Sequence, residues 1–347
     1  MPTSAVFPRA PMRAGMYESF YLRAVSPREP VGVWIRNTVH KRPGAAPRGS
    51  VWCTVFDARR GRPFMHKLTT AALSVPSRGW IVVGEPRDAA AGADGPAAGA
   101  ANAAGEGSFM GPGNARGACG AARWTLRFSS SEPELRHLPR EWLYRAPLPR
   151  TKLTSPAPAA VFDGTFELAG RDPIELGAWP GMVGHNWGAE HAERWIWLHG
   201  VGFEEDPTAW LDVALGRVKV AGRLTPWLAN GALSLGGARR RLGGLSARGL
   251  QVRESAQGCE LTVSGEGGLV LEAIVRVPEQ SSAGWRYADP RGGEHDVLNC
   301  SVAAVELRVR TPGAHAPTAL TSAHGGAYEL GMRERDHGVP IAPFEDG

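Results

Sequence analysis

Lysine is almost missing from this chain. Of 39 basic residues only Lys41, Lys67, Lys152 and Lys219 are lysines, so the formal net charge of +5 and the pI near 9.3 rest on arginine. The arginines are scattered rather than banded, which argues against a nucleic-acid partner. The one run, Arg239 to Arg241, sits between short apolar segments and reads first as a solvated turn. Cysteine is scarce too. Cys53, Cys119, Cys259 and Cys300 are too far apart for the Cys-x-x-Cys spacing of metal or redox sites, so buried free thiols are expected. No apolar run approaches the length of a membrane span, and Met1 to Gly15 mixes Pro and Arg in place of a secretory signal. A soluble, cytoplasmic protein is the expectation, with room for transient contact with a membrane surface. Helical periodicity is nearly absent. So are a phosphate-binding Gly-x-x-x-x-Gly-Lys and a Gly-x-Ser-x-Gly elbow in a strand-turn-helix setting, which disfavours nucleotide chemistry and expects no cofactor.

What is present is period-two alternation broken by Pro, Gly and Asn. At 347 residues, 43% hydrophobic and 21% charged, the chain is ordinary in composition and long enough for two cores. Short strands recur throughout, among them Ser19–Val25, Val31–Val39, Val51–Asp57, Arg194–Val201 and Val302–Val309. This density implies an all-β sandwich or barrel. Domains at 1–180 and 181–340 are expected, with the junction near Ala178 to Gly188. The Ala- and Gly-rich stretch Pro86 to Ala121 reads as a disordered insertion, and the Pro-rich stretch Arg145 to Ala160 as an extended surface strap. A faint echo links the halves: Ser19-Phe-Tyr-Leu-Arg precedes Val33-Trp-Ile-Arg, and Arg194-Trp-Ile-Trp-Leu precedes Ala209-Trp-Leu-Asp.

The densest chemistry lies between Gly181 and Gly200. Trp187, Trp195 and Trp197, His185, His191 and His199, and the carboxylates Glu190 and Glu193 share this one segment. Trp195, Trp197 and His199 alternate along a strand, while His185, Asn186 and Glu190 precede it in a glycine-punctuated turn. A polar turn feeding an aromatic strand is one way an apolar pocket acquires its few polar groups.

The stretches Tyr17-Glu-Ser-Phe-Tyr-Leu-Arg23, Phe162-Asp-Gly-Thr-Phe166, Gly184-His-Asn-Trp-Gly188 with Trp195-Ile-Trp197, and Trp227-Leu-Ala-Asn230 together resemble the hydroxyneurosporene synthase family. That family is similar to tocopherol cyclases and fungal Diels–Alderases. The resemblance implies two lipocalin-like antiparallel β-barrels in tandem, with a hydrophobic ligand held in or between them. It also implies, for the carotenoid hydratases, cofactor-free addition of water across a polyene double bond. The middle motif departs from the family's usual charged or glutamine-bearing version.

Read from the residues themselves, hydration or cyclisation of an isoprenoid needs a strong general acid, walls that tolerate a carbocation, and exclusion of stray nucleophiles. His185, Glu190 and His191 are the candidate acid and base groups. Tyr17, Asn186, Trp187, Trp195, Trp197 and His199 are the candidate pocket walls, the indole faces stabilising a cation. Each has a plainer reading: barrel-filling tryptophans, turn-capping His185 and Asn186, an exposed Glu190. The spacing of His185, His191 and His199 is not the i, i+4 pair of a zincin, so no metal is expected. Two classes remain open, a cofactor-independent enzyme acting on a lipophilic isoprenoid and a non-catalytic carrier of such a molecule. They differ in whether an ionisable side chain faces the cavity.

Overall fold

A computed structural model describes residues 3–86, 105–220, 222–244 and 249–344. The alternating runs form strands, and these assemble into a 12-stranded sheet, a 10-stranded sheet and a separate two-stranded hairpin, every pairing antiparallel. The first sheet draws on residues from Met16 to Gly188 and the second on residues from Arg194 to Met332. The strand Ile174–Gly188 crosses residue 180 as a member of the first sheet. Among the described residues helical structure is confined to short 3-10 turns, and no helix is long and apolar enough to cross a membrane.

Both sheets curl for a topological reason. In the first, Met16–Val25 lies between Val31–Lys41 and Ile174–Gly188, and strand order runs outward to Phe64–Thr70 at one edge and Leu73–Ser74 at the other. Those two edge strands follow one another in the chain, separated only by residues 71–72, so the sheet must bend back on itself. The seam is tight: a Cβ on Gly49 would lie 2.8 Å from Val83 Cγ1 on the far side. The second sheet repeats the plan. Its first strand, Arg194–Gly200, sits between Trp210–Arg217 and the last strand, Thr318–Met332. Its edges, Ala238–Gly243 and Gln251–Ser255, are again chain neighbours, and the bridge Leu242 to Gly265 ties the seam. This is the all-β architecture that the alternation implied, in the tandem lipocalin-like arrangement that the resemblance implied. The aromatic echo between Ser19–Arg23 and Arg194–Leu198 falls on the equivalent first strands.

Met16–Val25 and Val31–Lys41 are buried at every position, because each has a core on both faces. Phe20, Leu22 and Ala24 point into the first barrel. Tyr21 and Val25, with Trp34, Trp52 and Phe56, turn outward against the second sheet. Arg23 shares that outward face and is fully buried. Its Nη1 donates to His199 Nδ1 at 2.8 Å and to the Gly325 carbonyl at 3.2 Å, and its Nη2 to the Ser301 carbonyl at 2.9 Å. Because arginine only donates, His199 Nδ1 is the acceptor and Nε2 carries the proton. That proton goes to the Pro158 carbonyl, 2.9 Å away on the first sheet. His199, expected as a pocket wall, is therefore a strut between the sheets.

Two expectations about loops are corrected. Of the stretch Pro86 to Ala121, residues 87–104 lie outside the described residues, but Gly107–Gly111 and Asn114–Cys119 pair as a hairpin of the first sheet. Its Met110, Ala115 and Cys119 are buried in the core; small side chains hid an apolar face that a composition count misses. The strap ends sooner than expected. From Thr151 the chain is strand, paired with Ile174–Gly188 and, from Val161 onward, also with Ala122–Ser129. Pro156 and Pro158 are accommodated where the register slips between Thr154 and Ala160. The four cysteines are buried free thiols, as expected.

His199 also sets a pH dependence. Burial first, and then the charge of Arg23, lower its pKa from 6.5 to about 4. The unfolded chain therefore takes up a proton below pH 6.5 that the folded chain refuses until about pH 4. Stability should fall as pH drops through that window, seen as a declining urea midpoint. The decline should be shallower in His199→Asn; an identical slope in that variant would rule His199 out as its source.

Candidate functional site

A cavity of about 1030 Å³ lies between the two sheets, roofed by the segment from His137 to Thr151. Alternation along the strands decides what faces it. On the first strand Tyr17 and Tyr21 line it while Glu18 and Phe20 do not. On the strand Ile174–Gly188, Asn186 lines it while His185 and Trp187 face away. Of the nine residues expected at a site, Tyr17, Asn186, Glu190, His191, Trp195 and Trp197 are brought together at this cavity; His185, Trp187 and His199 are not.

Its polar centre was largely missed by sequence reasoning. The Glu329 carboxylate accepts from Trp195 Nε1 at 2.8 Å, from the Tyr287 hydroxyl at 3.3 Å and from Asn299 Nδ2 at 3.4 Å. Beside it the Arg36 guanidinium lies 4.0 Å from the centroid of the Tyr287 ring and donates to Ser19 Oγ at 2.7 and 3.1 Å. Burial pushes the Tyr287 and Tyr21 phenols well above their ordinary range. Both are neutral donors at neutral pH. Tyr17 is likewise raised by burial, and its hydroxyl is 2.7 Å from Thr151 Oγ1. A carboxylate on an otherwise apolar strand, Ala327-Tyr-Glu-Leu-Gly331, was the one sequence signal that pointed here.

His191 stands on the wall of the same cavity, stacked on Tyr17 with ring centroids 3.9 Å apart and an interplanar angle of 14°. Its Nδ1 is 2.8 Å and its backbone N–H 2.9 Å from Asp289 Oδ1. Burial alone would raise the Asp289 carboxyl, but the side-chain and backbone hydrogen bonds from His191 hold it below its usual value. The ionised carboxylate fixes the tautomer: Nδ1 carries the proton. Nε2 is buried and has no hydrogen-bond partner. This is an oriented imidazole with a free lone pair.

His295 is close by. The ligand atoms of His191, Asp289 and His295 all lie within 4.8 Å of one another, a donor set that could hold a divalent cation and that the His185, His191, His199 spacing did not foresee. Arg333 already occupies the electrostatic role. Its Nη2 is 3.1 Å from Asp289 Oδ2, so a bound cation would meet a guanidinium. Burial, then His191, lower His295 to about 3, so it is neutral.

Glu190 sits at the cavity rim, ion-paired with Arg150 and 3.5 Å from Arg333. His185 belongs to a different structure. It stacks on Phe20 with centroids 4.1 Å apart, and its Nε2 is 2.7 Å from Glu18 Oε1. Glu18 in turn accepts from the backbone N–H groups of Val6 and Phe7 at 2.7 to 3.0 Å. The pair pins the N-terminal segment; Trp187 stacks on His185 with centroids 4.6 Å apart.

A Ser155, His137 and Asp212 cluster has the residue types of a hydrolytic triad without its geometry. Ser155 donates to Asp212 Oδ2 at 2.5 Å, and Trp197 Nε1 donates to Oδ1 at 3.0 Å. Ser155 Oγ also lies 3.2 Å from His137 Nε2, but its proton goes to the acid, which in a hydrolytic triad would sit behind the histidine and not on the serine. Burial opposes ionisation of Asp212, but His137 chief among its partners holds it at about 2. A second cavity, of about 1140 Å³, opens at the far end of the first barrel, where Ser26 and Asp57 lie. Several of its charged groups pair with one another, Arg59 with Glu29 and Asp57, Arg60 with Asp57, in a charged mouth.

Removing the Glu18 carboxylate strands two backbone donors and His185. Glu18→Ala is expected to lower stability by roughly 2–4 kcal/mol in urea titration and to speed amide exchange at Val6 and Phe7. A loss under about 0.5 kcal/mol would mean the clamp is not structural.

No family model matches the chain. Two uncharacterized proteins of Mycobacterium tuberculosis, from strains CDC 1551 / Oshkosh and ATCC 25618 / H37Rv, are each 27% identical to it over 203 residues, 56% of this chain. The match spans about half, 52%, of the length of those curated relatives. Among solved structures, kievitone hydratase from Nectria haematococca superposes with a TM-score of 0.50 at 8% identity, covering 92% of this chain and 89% of that one. A protein from Nitrosomonas europaea designated AttH gives 0.49 at 14% identity, covering 96% and 99%. The likeness to kievitone hydratase is one of fold.

Proposed function

We propose that the chain is a cofactor-independent enzyme acting on a lipophilic isoprenoid or polyene, adding water across a carbon–carbon double bond or closing a ring across it. One observation carries this reading. An Asp-oriented imidazole, His191, and a second carboxylate, Glu329, stand on the wall of a single, mostly apolar cavity. That is where proton transfer needs an acid and a base.

In such a reaction the acid delivers its proton to one alkene carbon, and the other carbon becomes a cation. Water bonds to that carbon and gives up a proton to the base; in a cyclisation a second double bond supplies the electron pair, and the proton is lost from carbon. His191 Nε2, once protonated, is the donor, its positive charge held by Asp289. Glu329 is the acceptor. Trp195 and Trp197 flank the cavity, and each desolvated indole face stabilises a cation by about 1–2 kcal/mol. The resemblance to hydroxyneurosporene synthases and the shared fold with a protein named a hydratase support the same class, although fold alone does not transfer chemistry. Glu190 then acts at the entrance, and His185 takes no part.

A carrier reading has one observation in its favour: Glu329 and Tyr17 already have partners, as in a passive pocket. Incubation with a panel of isoprenoids and polyenes in heavy-oxygen water or D2O separates the two by mass spectrometry. Label incorporation is expected, falling about a hundredfold or more in Asp289→Asn and Glu329→Gln. Binding without label incorporation by the wild type would leave the carrier reading.

A further inference from the structure

We infer that the mouth of the cavity is a docking surface for an anionic lipid bilayer. Eight large hydrophobic side chains are exposed among the described residues. Five of them, Trp142, Leu148, Val218, Val220 and Leu228, line this one cavity. Chance scatter does not put a tryptophan 62% exposed, a leucine 63% exposed and a valine 61% exposed on the same rim.

They come from two projecting segments. Trp142 rides on the 3-10 turn Glu141–Tyr144, with Leu148 just beyond. Val218 and Val220 rise with the hairpin that pairs Lys219 with Leu224 and Val220 with Arg223, and Leu228 follows it. No residue of Glu141–Tyr144 is buried, and Lys219, Val220 and Arg223 are exposed.

The charge between them picks the partner. Arg140 and Arg145 bracket Trp142, Arg150 follows Leu148, and Lys219 and Arg223 flank Val220; all five are exposed. The acidic groups of the rim are already engaged: Glu141 with Arg136, Glu190 with Arg150, Glu193 with Lys219 and Arg333. Arg140, Arg145 and Arg223 make no ion pair among the described residues. Apolar tips interleaved with basic side chains are what inserts at the level of lipid headgroups while the cations meet anionic phosphates. A lipophilic molecule could then pass from the bilayer into the cavity without crossing water. The inference stands on the rim alone and does not require the chemistry proposed above.

Sedimentation with vesicles tests it. The protein is expected to bind vesicles of phosphatidylcholine containing about 25% phosphatidylglycerol at least about tenfold better than phosphatidylcholine alone, at about 0.1 M salt. Trp142→Glu combined with Val220→Glu should lose that binding. Met12→Glu combined with Val75→Glu, which alters exposed apolar residues away from the rim, should keep it. All four positions are exposed, so the urea midpoint of each variant checks that folding is unchanged. Equal binding to both lipid compositions would overturn the inference, as would equal loss in rim and control variants. So would a failure to bind vesicles alongside a dimer that the rim variant dissolves, which would give the surface to a second copy of the chain.

Discussion

A buried arginine holds this protein's two halves in register. Arg23 carries a guanidinium with no carboxylate partner among the described residues; Nη1 and Nη2 meet an imidazole and two carbonyls of the other sheet, while the buried Nε has no hydrogen-bond partner. Burial lowers its pKa to about 9, because a charge is costly away from water. A cation in that setting is tolerated only where its donors meet acceptors at good geometry, so the first strands of the two sheets cannot slide without losing three hydrogen bonds at once. Because His199 returns a bond to Pro158 of the first sheet, the clamp closes in both directions.

The clamp has a consequence for the cavity. Each barrel fills its own interior: Phe20, Phe162, Phe166 and Trp124 occupy the first, and aliphatic side chains with Tyr328 the second. The opening with convergent polar groups therefore lies where the outward faces of the two sheets approach each other. There Tyr17, Tyr21 and Arg36 from one sheet meet Trp195, Tyr287 and Glu329 from the other. A site at such a seam can change its walls by substitution on either side without emptying a barrel core.

Polar groups in this seam sit in a medium where each unmet hydrogen bond is costly. Glu329 has three donors, Asp289 has His191 and Arg333, and Asp212 has Ser155, Trp197 and His137. Against that background the unpartnered Nε2 of His191, like Oδ1 of Asn186 on the same wall, is a buried polar atom left free to meet a ligand.

The sequence by itself determined the local structure and half of the site. Period-two alternation specifies strands because side chains alternate across a pleated sheet, and the crowding of His191, Trp195 and Trp197 in one segment survives any packing that keeps that strand intact. Which face each residue takes was only partly legible. His185 and Asn186 are neighbours, yet one clamps the N-terminus and the other lines the cavity, because register with Phe20 and Ser19 sends them to opposite faces. Arg36, Tyr287 and Asp289 could not be read as a site at all, and Glu329 showed only as a carboxylate on an otherwise apolar strand. They come from strands and a turn far apart in the chain, and only the curling of two sheets and their docking through Arg23 brings them within a few ångströms. Residue type and spacing are properties of the chain, but convergence is a long-range contact, and tertiary structure alone decides it.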